Sequence, residues 1–366
     1  MSSPGSVTFC ITELDLGGAE KALVRLAGGL KNAGWNVNVV SLRDAGVMSI
    51  PLEERGIPIQ ALNCGSLADP RTVPRLASIL RAQQPDFLVC FLHQANIVGR
   101  LAGRLAGVPH VVSGVRVADR RKWITWIDGL TQSLSSHYFA VSQEVAAVHG
   151  QRCGIAPEKM SVLYNGVDIP DHVPERKSGD ENTFRLLFVG RLTKQKRPLD
   201  LVHAVEQLPD ELRKRVRVDY LGDGELRSFL QKAINSAGLH DQIHIHGHRP
   251  DVDSWMARAD VLVLPSSWEG LPNVVLEAMA VRLPVVAAAV DGVLEILNHD
   301  ATGLLYKSGN ISELAAALSL ADSTPESLTV MADRALEVVR QRFRWQTSID
   351  QLADTLLELR ANASDS

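Results

Sequence analysis

Two glutamates and the residues between them form the segment of this chain best suited to chemistry. Glu269 and Glu277 are separated by seven residues, and a Gly-Leu-Pro-Asn run follows Glu269 directly. The apolar run at residues 261–264 predicts a strand, and a helix is expected to begin near Pro272 with free N–H groups facing an anion. Glu277 would then lie in a buried apolar helix, where a carboxylate needs hydrogen-bond donors. Sugar hydroxyls would supply these donors; a neighbouring backbone group or cation is the alternative.

A second cluster of candidate residues is basic and follows the strand predicted at residues 185–189. Arg191, Lys196 and Arg197 lie close together, just before Pro198, which suits the first turn of a helix. Ligands of α/β proteins bind where strands end and helices begin. Cations at that point can neutralise a diphosphate without a metal; a solvated basic loop is the alternative.

Similar positions occur after two strands of the first half. Gly17 and Gly18 follow the strand predicted at residues 7–11. Two glycines let a ligand approach the backbone, and the next helix offers N–H groups to a phosphate, although the glycines alone also suit a simple turn. His93 follows the strand predicted at residues 87–91, a position that favours a binding site, with a structural histidine as the alternative.

Short apolar runs alternate with helical patterns along almost the whole chain, which predicts a doubly wound α/β fold with strands covered on both faces. The alternation stops at residues 168–184, a polar segment with two prolines that we interpret as an interdomain linker. Domains are therefore predicted at residues 1–170 and 183–344, with a ligand cleft between them, followed by an amphipathic helix at 345–360 within a C-terminal segment, 345–366. The predicted strands are residues 7–11, 37–42, 87–91, 111–115, 138–141, 185–189, 216–221, 243–246, 261–264, 285–289 and 304–306.

Composition excludes several classes of function. The 366 residues are 45% hydrophobic and 22% charged, and 38 Lys plus Arg against 42 Asp plus Glu give a net charge of -4. A generic nucleic-acid binder would need a basic field. The four cysteines have no metal-site spacing and fit a reducing cytosol. No signal peptide and no apolar stretch of about 18 residues is visible, so a cytoplasmic location is expected. The dinucleotide, P-loop, zincin and serine-hydrolase motifs are missing.

Taken together, these features resemble the signature of retaining GT-B glycosyltransferases, in the large bacterial family called group 1 or family GT4. The resemblance extends over nearly the whole chain, and within the family it is greatest to members that build surface polysaccharides. Each motif alone is weak, whereas the full set in this order is highly specific. The set comprises the Glu269 and Glu277 pair, the loop from Arg191 to Lys196, and residues 17–20 (GGAE), 101–109 (LAGRLAGVP), 165–168 (NGVD), 222–224 (GDG) and 301–305 (ATGLL).

The resemblance implies two Rossmann-like doubly wound domains, the first facing the acceptor and the second binding a nucleotide sugar. It implies a metal-independent hexosyl transfer without a cofactor, from a nucleotide diphosphate sugar to a glycan or polyprenyl-diphosphate-linked acceptor, with UDP-sugar favoured over GDP-sugar. In the family the last helix crosses back to the first domain. Periodicity alone equally allows a helix that completes the second domain.

The resemblance also assigns roles on the donor side. Arg191 and Lys196 would bind the diphosphate, Glu277 would hold the ribose, and Glu269 would contact the transferred sugar. Gly17 and Gly18 would close over the diphosphate from the first domain. Backbone contacts to the sugar and phosphates would come from Gly270, Leu271, Pro272 and Asn273.

Two departures from the family pattern concern substrate recognition. Many relatives carry a histidine near the end of the fifth strand, where this chain has Arg116. An arginine cannot act as a general base, so we interpret Arg116 as an acceptor-side or donor-side cation and His93 as the candidate acceptor contact. Asp291 stands where relatives usually have the first glycine of a pair, which affects how the donor sugar is held.

The segment from Arg120 to Leu130 places basic residues beside tryptophans at helical spacing. That combination suits an anionic membrane surface and would place the enzyme at the inner face of the cytoplasmic membrane. A helix packed on the sheet with a solvated basic end is an equal alternative.

Two other functions remain open on these residues. A nucleotide-sugar epimerase or a phosphorylase could use the same two-domain frame and would need no glycan acceptor. A non-enzymatic binding module is disfavoured, because a site that has lost its catalytic activity would not be expected to retain Arg191, Lys196, Glu269 and Glu277.

Overall fold

A computed structural model of the chain describes residues 3–65, 69–116, 122–171 and 183–364. The chain forms two compact units. Unit 1 comprises Met1–Gly166 and Trp345–Ser366, and unit 2 comprises Val167–Arg344.

Unit 1 is built on a seven-stranded parallel sheet in the order β3-β2-β1-β4-β5-β6-β7. The strands are β1 Ser6–Ile11, β2 Asn36–Ser41, β3 Ile59–Ala61, β4 Phe87–Phe91, β5 His110–Val115, β6 His137–Ala140 and β7 Met160–Val162. The helices are α1 Gly18–Asn32, α2 Ile50–Glu53, α3 Thr72–Gln83, α4 His93–Ala106, α5 Lys122–Thr131 and α6 Gln143–Cys153.

Unit 2 contains a six-stranded parallel sheet in the order β10-β9-β8-β11-β12-β13. Its strands are β8 Phe184–Val189, β9 Val216–Leu221, β10 Ile243–Gly247, β11 Val261–Leu264, β12 Val285–Ala288 and β13 Leu304–Tyr306. Its helices are α7 Pro198–Glu206, α8 Asp210–Arg215, α9 Arg227–Ser236, α10 Val252–Met256, α11 Asn273–Ala280, α12 Asp291–Leu294, α13 Ile311–Ser323 and α14 Pro325–Arg342.

The predicted doubly wound fold is confirmed, and all eleven predicted strands are present with ends shifted by no more than one residue. Both central sheets bury their strands on two faces. Phe9 and Ile11 of β1 pack into one core layer, whereas Cys10 packs into the other, as alternation along a strand requires. The cysteine therefore fills the core as a small apolar residue.

The last helix, α15 Trp345–Ser364, is part of unit 1. Ile349, Leu352 and Leu356 are buried in the same core layer as the apolar face of α1. Gly29 of α1 lies directly under Ile349, where a Cβ atom would overlap the Ile349 side chain. Packing of α15 therefore depends on a residue without a side chain in the middle of α1.

The chain passes between the units slightly earlier than the sequence predicts. Val167 already belongs to unit 2, because its N–H donates to the carbonyl of Phe343 at 2.8 Å and it bridges to Arg344. Most of the predicted linker, residues 172–182, lies outside the described residues. No helix in the described ranges combines the length and apolar character needed to span a membrane.

Candidate functional site

Two loops at the carboxyl end of the second sheet carry the predicted donor-binding residues. One follows β8 and the other follows β11, which is its neighbour in the sheet. Gln195 ties them together: its carbonyl accepts the Ser267 N–H at 2.8 Å, and its Nε2 donates to the Trp268 carbonyl at 3.0 Å. Residues far apart in sequence are thereby held at one edge of the sheet.

Side-chain hydrogen bonds to Glu269 also connect the two loops. Lys196 donates from Nζ to Glu269 Oε1 at 2.5 Å, and Ser266 donates from Oγ to the same oxygen at 2.6 Å. The Glu269 side chain is only 7% exposed, so its charge needs these partners. No donor among the described residues reaches Oε2, which leaves that oxygen able to accept a hydrogen bond from a ligand hydroxyl.

The other two predicted cations of the loop differ from each other. Arg191 is exposed, and its guanidinium has no hydrogen-bond or ion-pair partner within the described part of the chain. Arg197 instead donates from Nε to Asp200 at 2.6 Å, inside the first turn of α7. The structure thus leaves Arg191 accessible to an anion and joins Lys196 to Glu269, whereas Arg197 is engaged by its own helix.

Glu277 is not buried, and the sequence prediction was wrong on this point. The residue lies on α11 with its side chain at intermediate exposure, as do Asn273 and Val274 on the same face. The helix packs into the protein through its other faces, on which Val275 and Leu276 are fully buried. One side of an apparently apolar helix is therefore open, and it carries Asn273 and Glu277 four residues apart.

The segment before α11 brings backbone N–H groups to the same edge. Gly270, Leu271 and Pro272 are buried, and α11 begins at Asn273 without a side-chain cap. Uncapped N–H groups at the start of a helix suit an anionic ligand. The residues with predicted backbone contacts and Glu269 therefore belong to one continuous stretch of chain, in which Pro272 offers only its carbonyl.

The departure at residues 291–292 has a structural explanation. Gly292 is buried, and a Cβ atom at this position would collide with the carbonyl of Gly270. Asp291 is exposed at the start of α12, where a side chain meets no such obstacle. The chain therefore keeps a glycine only at the position where the backbones approach closely.

In unit 1, the turn between β1 and α1 is shaped by Gly17 and Glu20. Gly17 is the N-cap residue of α1, and a Cβ atom on it would overlap the Glu20 carboxylate, which folds back over the turn. Gly18 is the first residue of the helix. Burial raises the pKa of Glu20, and the nearby Glu13 adds to this effect, whereas a backbone N–H and Arg116 oppose it.

Arg116 lies at the end of β5 and connects several parts of this edge. Its Nη2 donates to Asn165 Oδ1 at 2.5 Å, and its guanidinium lies 5.1 Å from the centre of the Phe91 ring. Burial lowers the pKa of Arg116 to about 10, against the opposing effect of Glu20. Arg116 thus remains a cation at neutral pH.

His93 is the first residue of α4, directly after β4. Its side chain is 25% exposed, and Nδ1 lies 3.9 Å from Oδ2 of Asp128, which is buried. His93 and Arg116 follow neighbouring parallel strands, β4 and β5, so both lie at the carboxyl edge of the sheet. This edge therefore offers one imidazole and one permanent cation.

The helix predicted to touch a membrane is present in part. α5 exposes Trp126 at 66% and Leu130 at 62%, whereas Asp128 between them is buried. Arg120 and Arg121, two of the three basic residues on which the prediction rested, lie outside the described residues.

Sequence reasoning missed several residues of these edges. Ser266 shares the Glu269 oxygen, and Asn165 and Glu20 lie in motifs of the family pattern but were given no role of their own. Asp128 gave no signal at all, because its partners come from other helices. The signals for Asn165 and Glu20 were their places in the NGVD and GGAE motifs.

Comparison with known protein families matches both halves of the chain. The family model described as glycosyl transferases group 1 matches residues 172–338. The model described as glycosyltransferase family 4 matches residues 16–170. The two matches are consecutive and together include every candidate residue named above.

Individual relatives are similar over nearly their full length. An Escherichia coli protein named UDP-Gal:alpha-D-GlcNAc-diphosphoundecaprenol alpha-1,3-galactosyltransferase is 25% identical, covering 91% of this chain and 92% of that protein. D-inositol 3-phosphate glycosyltransferase 1 of Catenulispora acidiphila is 27% identical, covering 92% and 90%. The crystal structure of Anabaena HepE in complex with UDP superposes with a TM-score of 0.83 at 24% identity, covering 96% and 99%. At this identity the structural match shows a shared fold.

Proposed function

The chain belongs to the group 1, family 4 glycosyltransferases with the GT-B fold, and from this premise we propose the reaction in detail. The enzyme transfers a sugar from a nucleotide diphosphate sugar to a glycan or lipid-linked glycan acceptor. The transfer retains the anomeric configuration and uses no metal ion.

The observation that carries this proposal is the pairing of Glu269 with Lys196. A buried carboxylate with one oxygen held by Lys196 and Ser266 presents its other oxygen to a sugar hydroxyl. Arg191 and the first N–H groups of α11 supply positive charge near the same loops. A protein-based set of cations of this kind can replace the metal that would otherwise balance a diphosphate.

The proposed step breaks the bond between the anomeric carbon and the diphosphate oxygen. A bond from the acceptor hydroxyl oxygen to that carbon forms on the same face, and the departing phosphate oxygen takes the hydroxyl proton. Lys196 and Arg191 stabilise the charge that develops on the leaving diphosphate. Glu269 orients the transferred sugar, and Glu277 on the open side of α11 binds the ribose.

UDP-sugar is the proposed donor, and a diphosphate-linked lipid glycan is the proposed acceptor. The Escherichia coli relative is named for UDP-Gal and a diphosphoundecaprenol acceptor, and the Anabaena structure holds UDP. In unit 1, His93 and Arg116 provide an imidazole and a cation suited to a sugar hydroxyl and a phosphate of the acceptor. The N–H groups at Gly17 and Gly18, where α1 begins, are suited to a phosphate group.

Thermal unfolding tests the donor assignment. UDP, GDP, ADP and CMP are added in parallel, with magnesium and with a chelator. A nucleotide at a hundred times its Kd adds about 2.7 kcal/mol to the free energy of unfolding. We expect UDP to raise Tm equally in both conditions. A Tm shift with GDP alone would indicate a GDP-sugar donor. A Tm shift only with magnesium would contradict metal independence. No Tm shift with any nucleotide would favour a non-enzymatic binding module.

Peripheral contact with the inner face of the cytoplasmic membrane is proposed for α5. Trp126 and Leu130 expose large apolar side chains on one helix, as interfacial helices do. We expect Trp126→Ser combined with Leu130→Ser to lower co-sedimentation with phosphatidylglycerol vesicles several-fold. Phe229→Ser is the matched control, because Phe229 is 58% exposed on a unit 2 helix. An equal loss of co-sedimentation in the α5 variant and the Phe229→Ser control would contradict a specific role for α5.

A further inference from the structure

A cavity of about 340 Å³ opens in unit 1 between the second half of α1, the start of α15 and the turn after α2. Gly28 lines it and lies ten residues after Gly18, which is about 15 Å along the helix at 1.5 Å per residue. No candidate residue of the donor-binding or acceptor-binding edges lines it. The cavity is therefore separate from the site of the proposed transfer.

Gly28 of α1 makes room for the side chain of Arg55, which lies in the turn after α2. A Cβ atom at Gly28 would lie 3.0 Å from Arg55 Cδ and 3.1 Å from Arg55 Nε. The arginine stem therefore lies directly on the helix backbone. Glycine destabilises the interior of a helix relative to alanine, and the space for Arg55 explains a glycine at this position.

The guanidinium of Arg55 is held at one nitrogen and open at the others. Nη1 donates to the Pro51 carbonyl at 2.6 Å. Nε and Nη2 have no hydrogen-bond or ion-pair partner in the described part of unit 1, and the residue is exposed. A guanidinium with two open N–H groups can bind a phosphate through two parallel hydrogen bonds. Arg55 thus gives the cavity an oriented cation.

The other polar residues of the cavity wall carry positive charge or none. Arg25, one turn before Gly28, adds a second cation, and Asn32 and Gln346 add amide groups. No carboxylate of the described residues lines the cavity; the carboxylate of Asp350 lies next to the wall and accepts from Gln346 Nε2 at 2.7 Å. The wall is therefore suited to an anion.

The size of the cavity and an aromatic wall indicate a ligand larger than inorganic phosphate. Trp345, the first residue of α15, lines the cavity with its indole side chain. Cavities that bind small molecules usually measure about 300–1,000 Å³ and combine apolar or aromatic walls with a few polar groups. A molecule that carries a ring and one phosphate fits this description.

The place of the cavity in the fold favours a dissolved ligand over a lipid headgroup. α1 packs in the core layer of Phe9, whereas α4 packs in the layer of Cys10, on the opposite face of the sheet. α5, the helix proposed to contact a membrane, adjoins α4, because Asp128 of α5 contacts Arg100 of α4 and His149 of α6. A bilayer against α5 would not adjoin the cavity.

We propose that this cavity binds a soluble phosphorylated molecule of about the size of a monosaccharide phosphate. Arg55 and Arg25 hold the phosphate, and the ring of the ligand lies against Trp345. Such a ligand joins α15 to α1, because Trp345 belongs to one helix and Arg25 to the other. The site is additional to the proposed transfer and does not depend on it.

The test follows Trp345 in the full-length protein labelled with 5-fluorotryptophan. The chain has six tryptophans, and Trp345→Phe identifies the fluorine signal. Glucose 1-phosphate and phenyl phosphate are the probes, with glucose and phenol as controls without phosphate. We expect both phosphates, and neither control, to shift the Trp345 signal saturably. No saturable shift with either phosphate would overturn the proposal.

Four variants locate the response. We expect Arg55→Gln to weaken Kd about tenfold or more, and Gly28→Ala to weaken it several-fold at an undiminished Tm, because alanine displaces Arg55 but favours the helix. Arg75→Gln, an exposed arginine of α3, is the matched control and should keep the wild-type Kd. Arg191→Gln should also keep it, which excludes binding at the donor site as the cause. An unchanged Kd in Arg55→Gln, or an equal loss in Arg55→Gln and either control, would overturn the proposal.

Vesicles separate a dissolved phosphate from a lipid headgroup. Phosphatidylglycerol vesicles are added to the labelled protein, with phosphatidylcholine vesicles as the control. We expect neither to shift the Trp345 signal. A shift with phosphatidylglycerol alone, larger than that with the dissolved phosphates, would assign the cavity to a lipid headgroup and overturn the proposal.

Discussion

At Glu269, the two carboxylate oxygens have different surroundings. Oε1 receives Lys196 and Ser266, and Oε2 faces no donor in the described part of the chain. Oε2 is not among the buried side-chain atoms that lack a partner in the described residues, so it is open to solvent or to a ligand. The free oxygen at a sheet edge is the reason for assigning Glu269 to the substrate.

We predict that Glu269→Ala and Lys196→Ala each lower the transfer rate by about 10²–10³-fold, because each removes charge placed at the donor. Lys194→Ala is the matched control, because Lys194 is exposed in the same loop. Its rate should stay close to that of the wild type. Initial rates with saturating acceptor measure the effect, and comparable losses in all three variants would contradict the assignment.

Residue types and spacing predicted much of this site. The charges of Arg191 and Lys196 and the spacing of Glu269 from Glu277 were visible because loops at strand ends carry their own side chains. The exposure of Glu277 was not predictable, since it depends on which face of α11 the sheet covers. The engagement of Arg197 by Asp200 likewise depends on a local turn geometry that composition does not specify.

At the scale of elements, continuous apolar runs predicted the central strands reliably. The edge strands β3 and β7 were missed because their three side chains are mostly at intermediate exposure, whereas the equally short β13 buries two of its three and was predicted. Edge strands are covered less by helices and need fewer apolar residues. Their pairing is visible only in the register, such as Ala140 with Val162.

The contact between β6 and β7 predicts a pH dependence. Burial lowers the pKa of His137 to about 4, and its Nε2 lies 2.8 Å from Ser161 Oγ. Because folding favours the neutral ring, its stabilisation is present above the unfolded pKa of about 6.5 and is lost as pH falls toward 4. We expect this loss to amount to about 1–3 kcal/mol for the wild-type protein.

His137→Gln should lose less stability over the same pH interval, because glutamine does not titrate. The exposed His248 offers a control, and His248→Gln should follow the wild-type curve. Denaturant unfolding at pH 7 and at about pH 4.5 measures the difference. If the free energy of unfolding of His137→Gln fell between these two pH values as much as that of the wild type, another group would cause the acid sensitivity.

At the scale of the whole molecule, α15 returns to unit 1, and periodicity could not predict this. An apolar stripe shows that a helix packs, but it does not identify the partner surface. The partner is α1, where Gly29 makes room for Ile349. Asp128, Arg100 and His149 escaped prediction for the same reason, since three separate helices bring them together.

We predict that Gly29→Ala lowers the free energy of unfolding by about 1–2 kcal/mol, because the added methyl group displaces Ile349 from a close-packed core. Gly150→Ala is the matched control, because its Cβ would meet its nearest neighbour at 3.8 Å, an ordinary contact. Alanine has the higher helix propensity, so Gly150→Ala should be neutral or slightly stabilising. Equal stability changes at both positions would contradict the packing of α15 on α1 through Gly29.

The most direct test of the central claim is the anomeric configuration of the first product. Full-length protein is incubated with UDP-sugar, a lipid-linked glycan acceptor and a metal chelator, and the new linkage is followed by NMR from the earliest time points. We predict a product with the anomeric configuration of the donor, formed at the same rate with and without chelator. An inverted linkage, or transfer that stops when metal is removed, would contradict the proposed mechanism.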